Sequence, residues 1–241
     1  KEISEEEFAH WKKCTEQLKY YSLANSFRDI AIKNGMEIEG LLKHIRAVTE
    51  ADGIKRINTT ELGIEANRLM LNYLVSFRTY VDNIQAYSHH MKNGKTFERK
   101  IINWMYDNEE IYAFLSKLRN FAAHFSMVFD SVTIDSDGIR LECSKEHLLE
   151  YKEWKQKNID FINACQDEYL PILSYIEHNN ILIMSIYIGF LSYFGDDLQE
   201  MHNDTIKLMT DYQIINPFFL ECESESDLTG ANLFSLGLDK L

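Results

Sequence analysis

The sequence predicts an all-α protein with one small β-hairpin, and three observations support this prediction. The chain has 241 residues and only two prolines, Pro171 and Pro217, so long helices meet few obligatory breaks. Its ten glycines are scattered along the chain. Apolar residues recur every three or four positions through most of the length, the spacing of helices that bury one face. With 45% hydrophobic residues, we expect one helical domain over residues 1–220 and a flexible acidic tail over residues 221–241.

The N-terminal segment is predicted to be helical from about Ser4 to Lys33. Ser4 and Glu7 have the spacing of a capping box, in which each side chain accepts a hydrogen bond from the other residue's backbone N–H. We expect Gly35 to separate this helix from a second one, because glycine is a poor helix former. The apolar side of the second helix comprises Leu41, Leu42 and Ile45.

The clearest helical pattern runs from Glu61 to about His89. Its apolar stripe comprises Ala66, Met70, Tyr73, Phe77, Tyr80, Ile84 and Tyr87. A polar stripe beside it comprises Glu65, Arg68, Asn72, Ser76, Thr79 and Asn83. Arg78 is placed to pair with Asp82 one turn later. We interpret the polar stripe as solvated or lightly bonded to neighbours, and packing against the helix of the functional motif is the alternative.

Two helices and a hairpin are predicted next. After Asn93-Gly94 closes the long helix, a short helix is expected over Thr96–Tyr106. Another helix begins near Asn108. Its expected buried side comprises Ile111, Leu115, Leu118 and Ala122. Alternation then replaces the helical spacing, which predicts a β-hairpin at about 128–143 with its turn at residues 135–138.

Three or so further helices are expected between Lys145 and Tyr212. Ser144, with His147 three residues later, is placed to open the first of them. Pro171 and Gly195 are candidate kinks or breaks in this region. No internal repeat at a fixed period is visible in the sequence.

Charge, cysteine content and hydropathy limit the classes of function. A formal net charge of −13 argues against a broad basic surface that coats nucleic acid, but it permits a small basic site. The four cysteines lack the spacing of a zinc site, so we expect a reducing, cytoplasmic setting without a metal or other cofactor. The polar, acidic N-terminal segment lacks the features of a secretory signal. The most apolar run, Ile181–Phe194, is shorter than the roughly 20 residues of a membrane span, so we expect a buried helix and no membrane contact.

The sequence RNFAAH at positions 119–124 is the strongest functional signal. Asn120 and His124 lie one helical turn apart and point the same way, and Arg119 is long enough to converge with them. An arginine can neutralise the charge on a phosphate, and an imidazole can move a proton near neutral pH. The three residues therefore suit metal-independent cleavage of a phosphodiester.

The RNFAAH motif resembles that of the HEPN superfamily, α-helical proteins marked by an arginine, usually a polar residue, a few variable positions and a histidine. The resemblance extends over roughly Glu61 to His124. It implies a HEPN-like helical bundle that acts as a metal-independent endoribonuclease in a toxin–antitoxin or antiviral defence system. It also implies a homodimer in which two motif helices form one composite site, and an antitoxin or defence partner protein.

The same resemblance implies a role for each motif residue. Arg119 would stabilise the phosphorane-like transition state. His124 would transfer a proton or orient the ribose 2′-hydroxyl, and Asn120 would hold the phosphate or His124. Because the 2′-hydroxyl would be the nucleophile, the resemblance implies that RNA is cut and that a cyclic phosphate is left.

Five basic residues are candidate substrate-binding residues: Lys92, Lys95, Arg99, Lys100 and Lys117. The first four could guide a phosphate chain toward Arg119, and ordinary surface charge explains them equally well. Lys117 and Ser116 share the polar side of the motif helix. In the alternative interpretation Arg119 pairs with Asp107 or Glu110, and His124 caps the C-terminal end of its helix. The corresponding function is a non-catalytic HEPN-like module that binds a nucleotide or a protein.

Overall fold

The structure is a computed structural model that describes residues 3–52, 58–135, 138–213, 218–221 and 232–235. Most of these residues are helical, and one short β-hairpin follows the helix of the RNFAAH motif. The expectation of an all-α protein with a small inserted hairpin is therefore confirmed.

The helices and strands are numbered in chain order. Those of the first half are α1 (Glu5–Asp52), α2 (Thr59–Ser88), α3 (Gly94–Phe97), a π-helical turn (Glu98–Asn103), α4 (Trp104–Asn108) and α5 (Glu110–His124). Those of the second half are β1 (Ser131–Asp135), β2 (Gly138–Glu142), α6 (Lys145–Leu149), α7 (Gln156–Ala164), α8 (Ile172–Tyr212), β3 (Phe218–Glu221) and β4 (Asn232–Ser235).

The start of α1 has the predicted capping box. The Ser4 backbone N–H donates to Glu7 Oε2 at 2.9 Å, and the Glu7 N–H donates to Ser4 Oγ at 3.2 Å. The bond from the Ser4 backbone, followed by the one from its hydroxyl, lowers the pKa of Glu7 below its usual value. The helix therefore begins where the sequence predicts.

α2 lies at the centre of the bundle. All seven residues of its predicted apolar stripe are buried, which confirms that prediction. The polar stripe is solvated or lightly bonded, as expected: Arg68 pairs with Glu65 at 2.6 Å, and Ser76 Oγ accepts a hydrogen bond from Asn34 Nδ2 at 2.8 Å. The predicted pair of Arg78 with Asp82 is also present, at 2.6 Å.

The prediction that Gly35 separates two helices is wrong, because α1 is continuous from Glu5 to Asp52. Gly35 instead allows a close helix crossing. A Cβ atom at this position would lie 2.9 Å from Asn180 Nδ2 of α8 and 3.1 Å from the ring of Tyr73 of α2. The absence of a side chain is therefore needed for packing between helices, and it does not end the helix.

α1 is antiparallel to α8, and the two helices continue together past the end of α2. Gln17 of α1 donates to the carbonyl oxygen of His90, just beyond the last residue of α2. Nearer the N-terminus of α1, His10 Nε2 lies 3.3 Å from Asp204 Oδ2 of α8. Among the described helices, α1 and α8 are the two that extend beyond this level of α2.

The second half follows the predicted order. β1 pairs antiparallel with β2, from Ser131 opposite Glu142 to Asp135 opposite Gly138. Ser144 caps α6 by accepting the His147 N–H at 3.2 Å. α6, α7 and α8 are the three expected helices, and α8 begins directly after Pro171.

Two further expectations about the C-terminal half need comment. Gly195 does not break α8, which runs unbroken to Tyr212. The strands β3 and β4 pair antiparallel, and β4 lies against α1. Apart from these strand residues, the predicted tail at 221–241 lies outside the described residues.

α8 is long and apolar enough, by length and composition alone, to cross a membrane. The sequence predicts that the apolar run of α8 is buried, and this holds for one face of the helix. Of its most apolar stretch of 18 residues, 39% is buried in the protein. Ile183 and Phe190 belong to the core, whereas Ile181 and Ile188 are 64% and 59% exposed.

Glycine-to-alanine variants at two positions of α1 test the crossing at Gly35. Gly35→Ala should lower the free energy of unfolding by about 1–3 kcal/mol relative to Gly40→Ala, because the fully buried Tyr73 leaves no room for the new methyl group. Gly40 is the matched control, since nothing lies within 4 Å of a Cβ there and both variants gain helix propensity. Urea denaturation measures both values, and equal stabilities would contradict the packing explanation.

Candidate functional site

The RNFAAH motif occupies the C-terminal end of α5, which is anchored against α2. The ring of Tyr112 in α5 contacts that of Phe77 in α2 with centroids 5.3 Å apart. After the motif, the Phe129 N–H donates to Asn67 Oδ1 and the Phe129 carbonyl oxygen accepts from Asn67 Nδ2, both at 2.9 Å. α5 is therefore antiparallel to α2, and the motif lies near the N-terminal half of α2.

Apolar residues of α5 fix the orientation of the motif. Phe114, Leu118 and Phe121 are fully buried. Ile111 and Ala122, which were expected to be buried, are only partly so. At 100° per residue, Arg119 projects from the same side as Tyr112 and so faces the groove between α5 and α2.

Arg119 is half-buried and has no carboxylate partner. Its Nη1 donates to Asn120 Oδ1 at 3.3 Å, whereas its Nε is buried without a hydrogen-bond partner. The alternative ion pair with Asp107 or Glu110 is absent, and within the described ranges no other acidic side chain replaces it. A buried donor without a partner is costly, so the unbonded Nε of Arg119 contributes nothing to the stability of the fold.

His124 is exposed at the last residue of α5, and its ring makes no hydrogen bond to any residue that the structure describes. It lies one turn after Asn120, as the helical spacing requires. An imidazole in this place is free to exchange a proton with a ligand. Its position in the last turn also suits the alternative in which it interacts with the helix dipole.

The other predicted members of the polar side differ in exposure. Ser116 is buried, and its hydroxyl donates to the Tyr112 carbonyl oxygen at 2.8 Å, so it cannot face a ligand. This corrects its placement on the polar side. Lys117 is half-buried on the same helix as the motif.

The structure does not bring the other four basic candidates to the motif. Lys92, Lys95, Arg99 and Lys100 lie in and around α3 and the π-helical turn. Glu98 of this turn bonds Gln85 near the end of α2, whereas the chain leaves the motif at the level of Asn67. About 27 Å of helix separates Gln85 from Asn67 at 1.5 Å per residue. These residues can contact only a distant part of a long ligand.

Several residues near the motif were not identified from the sequence. Phe125, directly after His124, is 45% exposed, and Met127 is 57% exposed. His147 of α6 reaches the same place, with its ring centroid 5.3 Å from that of Phe121 and its Nε2 3.0 Å from the Met127 carbonyl oxygen. Two apolar residues just past the end of an amphipathic helix, as Phe125 and Met127 are, indicate from the sequence alone that this end carries an apolar surface. The approach of His147 depends on the chain reversal at the hairpin, which no local pattern reveals.

No metal cluster marks the motif within the described part of the chain. Among the residues that the structure describes, no group of three or more His, Cys, Asp or Glu side chains could hold a metal ion. A groove of about 410 Å³ lies elsewhere, between α1 and α8. It is lined by Leu18, Tyr21, Leu191, Gly195, Leu198, Gln199 and His202.

Comparison of the chain with protein-family models, with curated proteins and with solved structures finds no match.

Two arginine-to-methionine variants test whether Arg119 serves the fold. Arg119→Met should leave the free energy of unfolding unchanged or raise it by up to about 1 kcal/mol, because it removes a buried donor that has no partner. Arg28→Met is the matched control. It should lower the value by about 1 kcal/mol, since the Arg28 guanidinium lies 4.1 Å from the Tyr187 ring centre and pairs with Asp29. Urea titrations at neutral pH measure both, and a large loss for Arg119→Met would assign Arg119 a structural role.

Proposed function

We propose that this protein is a HEPN-like, metal-independent endoribonuclease that acts through Arg119, Asn120 and His124. The observation that carries the proposal is the state of Arg119, which is half-buried, has an unbonded Nε and forms no ion pair with any carboxylate that the structure describes. A guanidinium without a carboxylate partner is suited to a phosphate, whose non-bridging oxygens would accept hydrogen bonds from its terminal N–H groups. The exposed His124 on the same helix end supplies a group that can transfer a proton.

In the proposed reaction a ribose 2′-hydroxyl attacks the adjacent phosphorus. The hydroxyl proton passes to an imidazole, the bond from phosphorus to the 5′-oxygen breaks, and that oxygen receives a proton from an imidazolium. The products are a 2′,3′-cyclic phosphate and a 5′-hydroxyl. Arg119 stabilises the charge that develops on the phosphorane-like oxygens, and Asn120 orients Arg119 through its side-chain oxygen.

A homodimer would complete this site. The reaction uses one proton acceptor and one proton donor, and each chain contributes one motif histidine. Ile64, Leu71 and Val75 form an exposed apolar stripe along α2, with 57%, 39% and 40% of their surface accessible. Their helical spacing places them on one side of α2. Burial of this stripe against a second copy would bring two motifs together.

The biological setting that we propose is defence or growth control in the cytoplasm, with an antitoxin or defence protein as a partner. The cysteines agree with a reducing compartment. Cys14, Cys143 and Cys165 are free, and burial raises the pKa of the Cys14 and Cys143 thiols.

The second candidate function is a non-catalytic HEPN-like module that binds a nucleotide or a protein. Two observations favour it: the net charge of −13 and the distance of the basic residues Lys92–Lys100 from the motif. Both weaken the attraction of a long RNA to the site, whereas a single phosphate group needs only Arg119.

The first test is incubation of the wild-type protein and of His124→Ala with mixed cellular RNA in excess EDTA. We expect the wild type to produce fragments with cyclic-phosphate ends, and both His124→Ala and Arg119→Ala to lose at least 100-fold in rate. Both variants should fold, because His124 is exposed and Arg119 has an unbonded Nε.

His44→Ala, at an exposed position of α1, is the matched histidine control and should cleave at the wild-type rate. Equal cleavage by wild type and His124→Ala would identify a contaminating nuclease, and no cleavage by either would favour the binding module.

Oligomeric state tests the role of the α2 stripe. Leu71→Glu should convert a dimer to a monomer in sedimentation velocity, because a charge at the centre of an apolar contact cannot be desolvated cheaply. Ile188→Glu alters the other exposed apolar face, on α8, and should leave the mass unchanged. The opposite result would place the interface on α8, and monomeric wild type would remove the composite site.

A further inference from the structure

The loop that follows the motif is rigidly held, yet it exposes apolar side chains. The Phe125 N–H donates to the Phe121 carbonyl oxygen at 2.9 Å, and the Met127 carbonyl oxygen lies 3.0 Å from His147 Nε2. The Asn67 side chain then accepts a hydrogen bond from the Phe129 N–H and donates one to the Phe129 carbonyl oxygen. Phe125 and Met127 remain 45% and 57% exposed within this frame. Their exposure is therefore fixed by hydrogen bonds on both sides.

The ring of Phe125 is supported from within the protein. Its centroid lies 5.4 Å from that of Phe121 and 5.5 Å from that of Tyr151, at interplanar angles of 51° and 47°. Phe121 and Tyr151 are both buried, and both contact Trp154. Phe125 thus rests on a buried aromatic cluster and keeps its other surface open. An aromatic ring that is already ordered loses little entropy when it binds a flat ligand.

We propose that Phe125 stacks against a nucleobase next to the phosphate held by Arg119, so that the substrate is single-stranded RNA. This inference rests on the proposed function. Phe125 directly follows His124, so its exposed ring lies at the same end of α5 as the motif. Bases of single-stranded RNA can be splayed out to stack on aromatic side chains, whereas those of a duplex are occupied by their neighbours. Stacking tolerates any base, so the site recognises an unpaired nucleotide with weak sequence preference.

Stacking also offsets the acidic charge of the chain. With a net charge of −13 and the Lys92–Lys100 residues far from the motif, electrostatic attraction contributes little at the site. One stacked base contributes an affinity that does not depend on phosphate neutralisation. Binding of short single strands should therefore depend less on salt than binding through a basic surface does.

The experiment uses a short single-stranded RNA that carries one 2-aminopurine, a base whose fluorescence is quenched when it stacks. His124→Ala serves as the uncleaving background. We expect quenching on binding, and a loss of roughly 5- to 150-fold in affinity together with loss of quenching when Phe125→Leu is added. Phe125→Trp should restore both, and Met127→Leu, at the neighbouring exposed position, should change neither. Duplex RNA of the same sequence should bind more weakly.

The outcomes separate this inference from the proposed function. Unchanged affinity and quenching in Phe125→Leu would overturn the stacking inference, even if the wild type cleaves RNA. Quenching that depends on Phe125, without cleavage by the wild type, would uphold the inference and reject the nuclease in favour of the binding module. If Phe125→Leu changes the mass of the protein in sedimentation, Phe125 belongs to an interface between copies, and the inference is overturned. Absence of any RNA binding would overturn both.

Discussion

Burial of the apolar face of α2 is the constraint on which the other elements depend. Its fully buried residues each meet a different neighbour: Tyr73 bonds Asn179 of α8, and Phe77 packs on Tyr112 of α5. Asn67, near its start, fixes the chain just after the motif. Because one helix sets the positions of α1, α5 and α8, the place of Arg119 in the groove follows from the packing of α2 and not from contacts of its own.

Local patterns in the sequence predict much of this fold, and they fail where a distant segment decides the outcome. The stripe of α2, the capping box of α1 and the hairpin depend on spacing within a few residues, and each is found as expected. Gly35 was misinterpreted because its role is set by Tyr73 and Asn180, which are remote in sequence. Ser116 was misplaced because its hydroxyl bonds the preceding turn, which allows a polar residue to be buried.

In the candidate site, too, local spacing predicts some features and distant segments determine the others. Helical spacing sets Asn120 and His124 one turn apart on α5, but it gives no information on which side of α5 the neighbouring helices cover. The separation of Lys92–Lys100 from the motif follows from the antiparallel course of the chain along α2. The unbonded Nε of Arg119 could not be anticipated, since acidic residues such as Asp107 and Glu110 occur nearby in the sequence. Among the described residues, Arg119 Nε is one of four buried side-chain polar atoms without a hydrogen-bond partner, and it is the one that belongs to a charged group.

The length of α1 separates the end of the bundle that carries the motif from the end where α1 pairs with the last turns of α8. Leu42 of α1 clusters with Leu62 and Ile139, at the end of the bundle where the motif lies, and His10 meets Asp204 in the two-helix extension. Thirty-two residues of continuous helix, about 48 Å, separate Leu42 from His10. A fluorophore or a bulky protein attached near the far tip would therefore stand clear of the motif, and a tether there would report distances without obstructing it. The far end of these two helices and the end that carries the motif are therefore two widely separated points of attachment for probes.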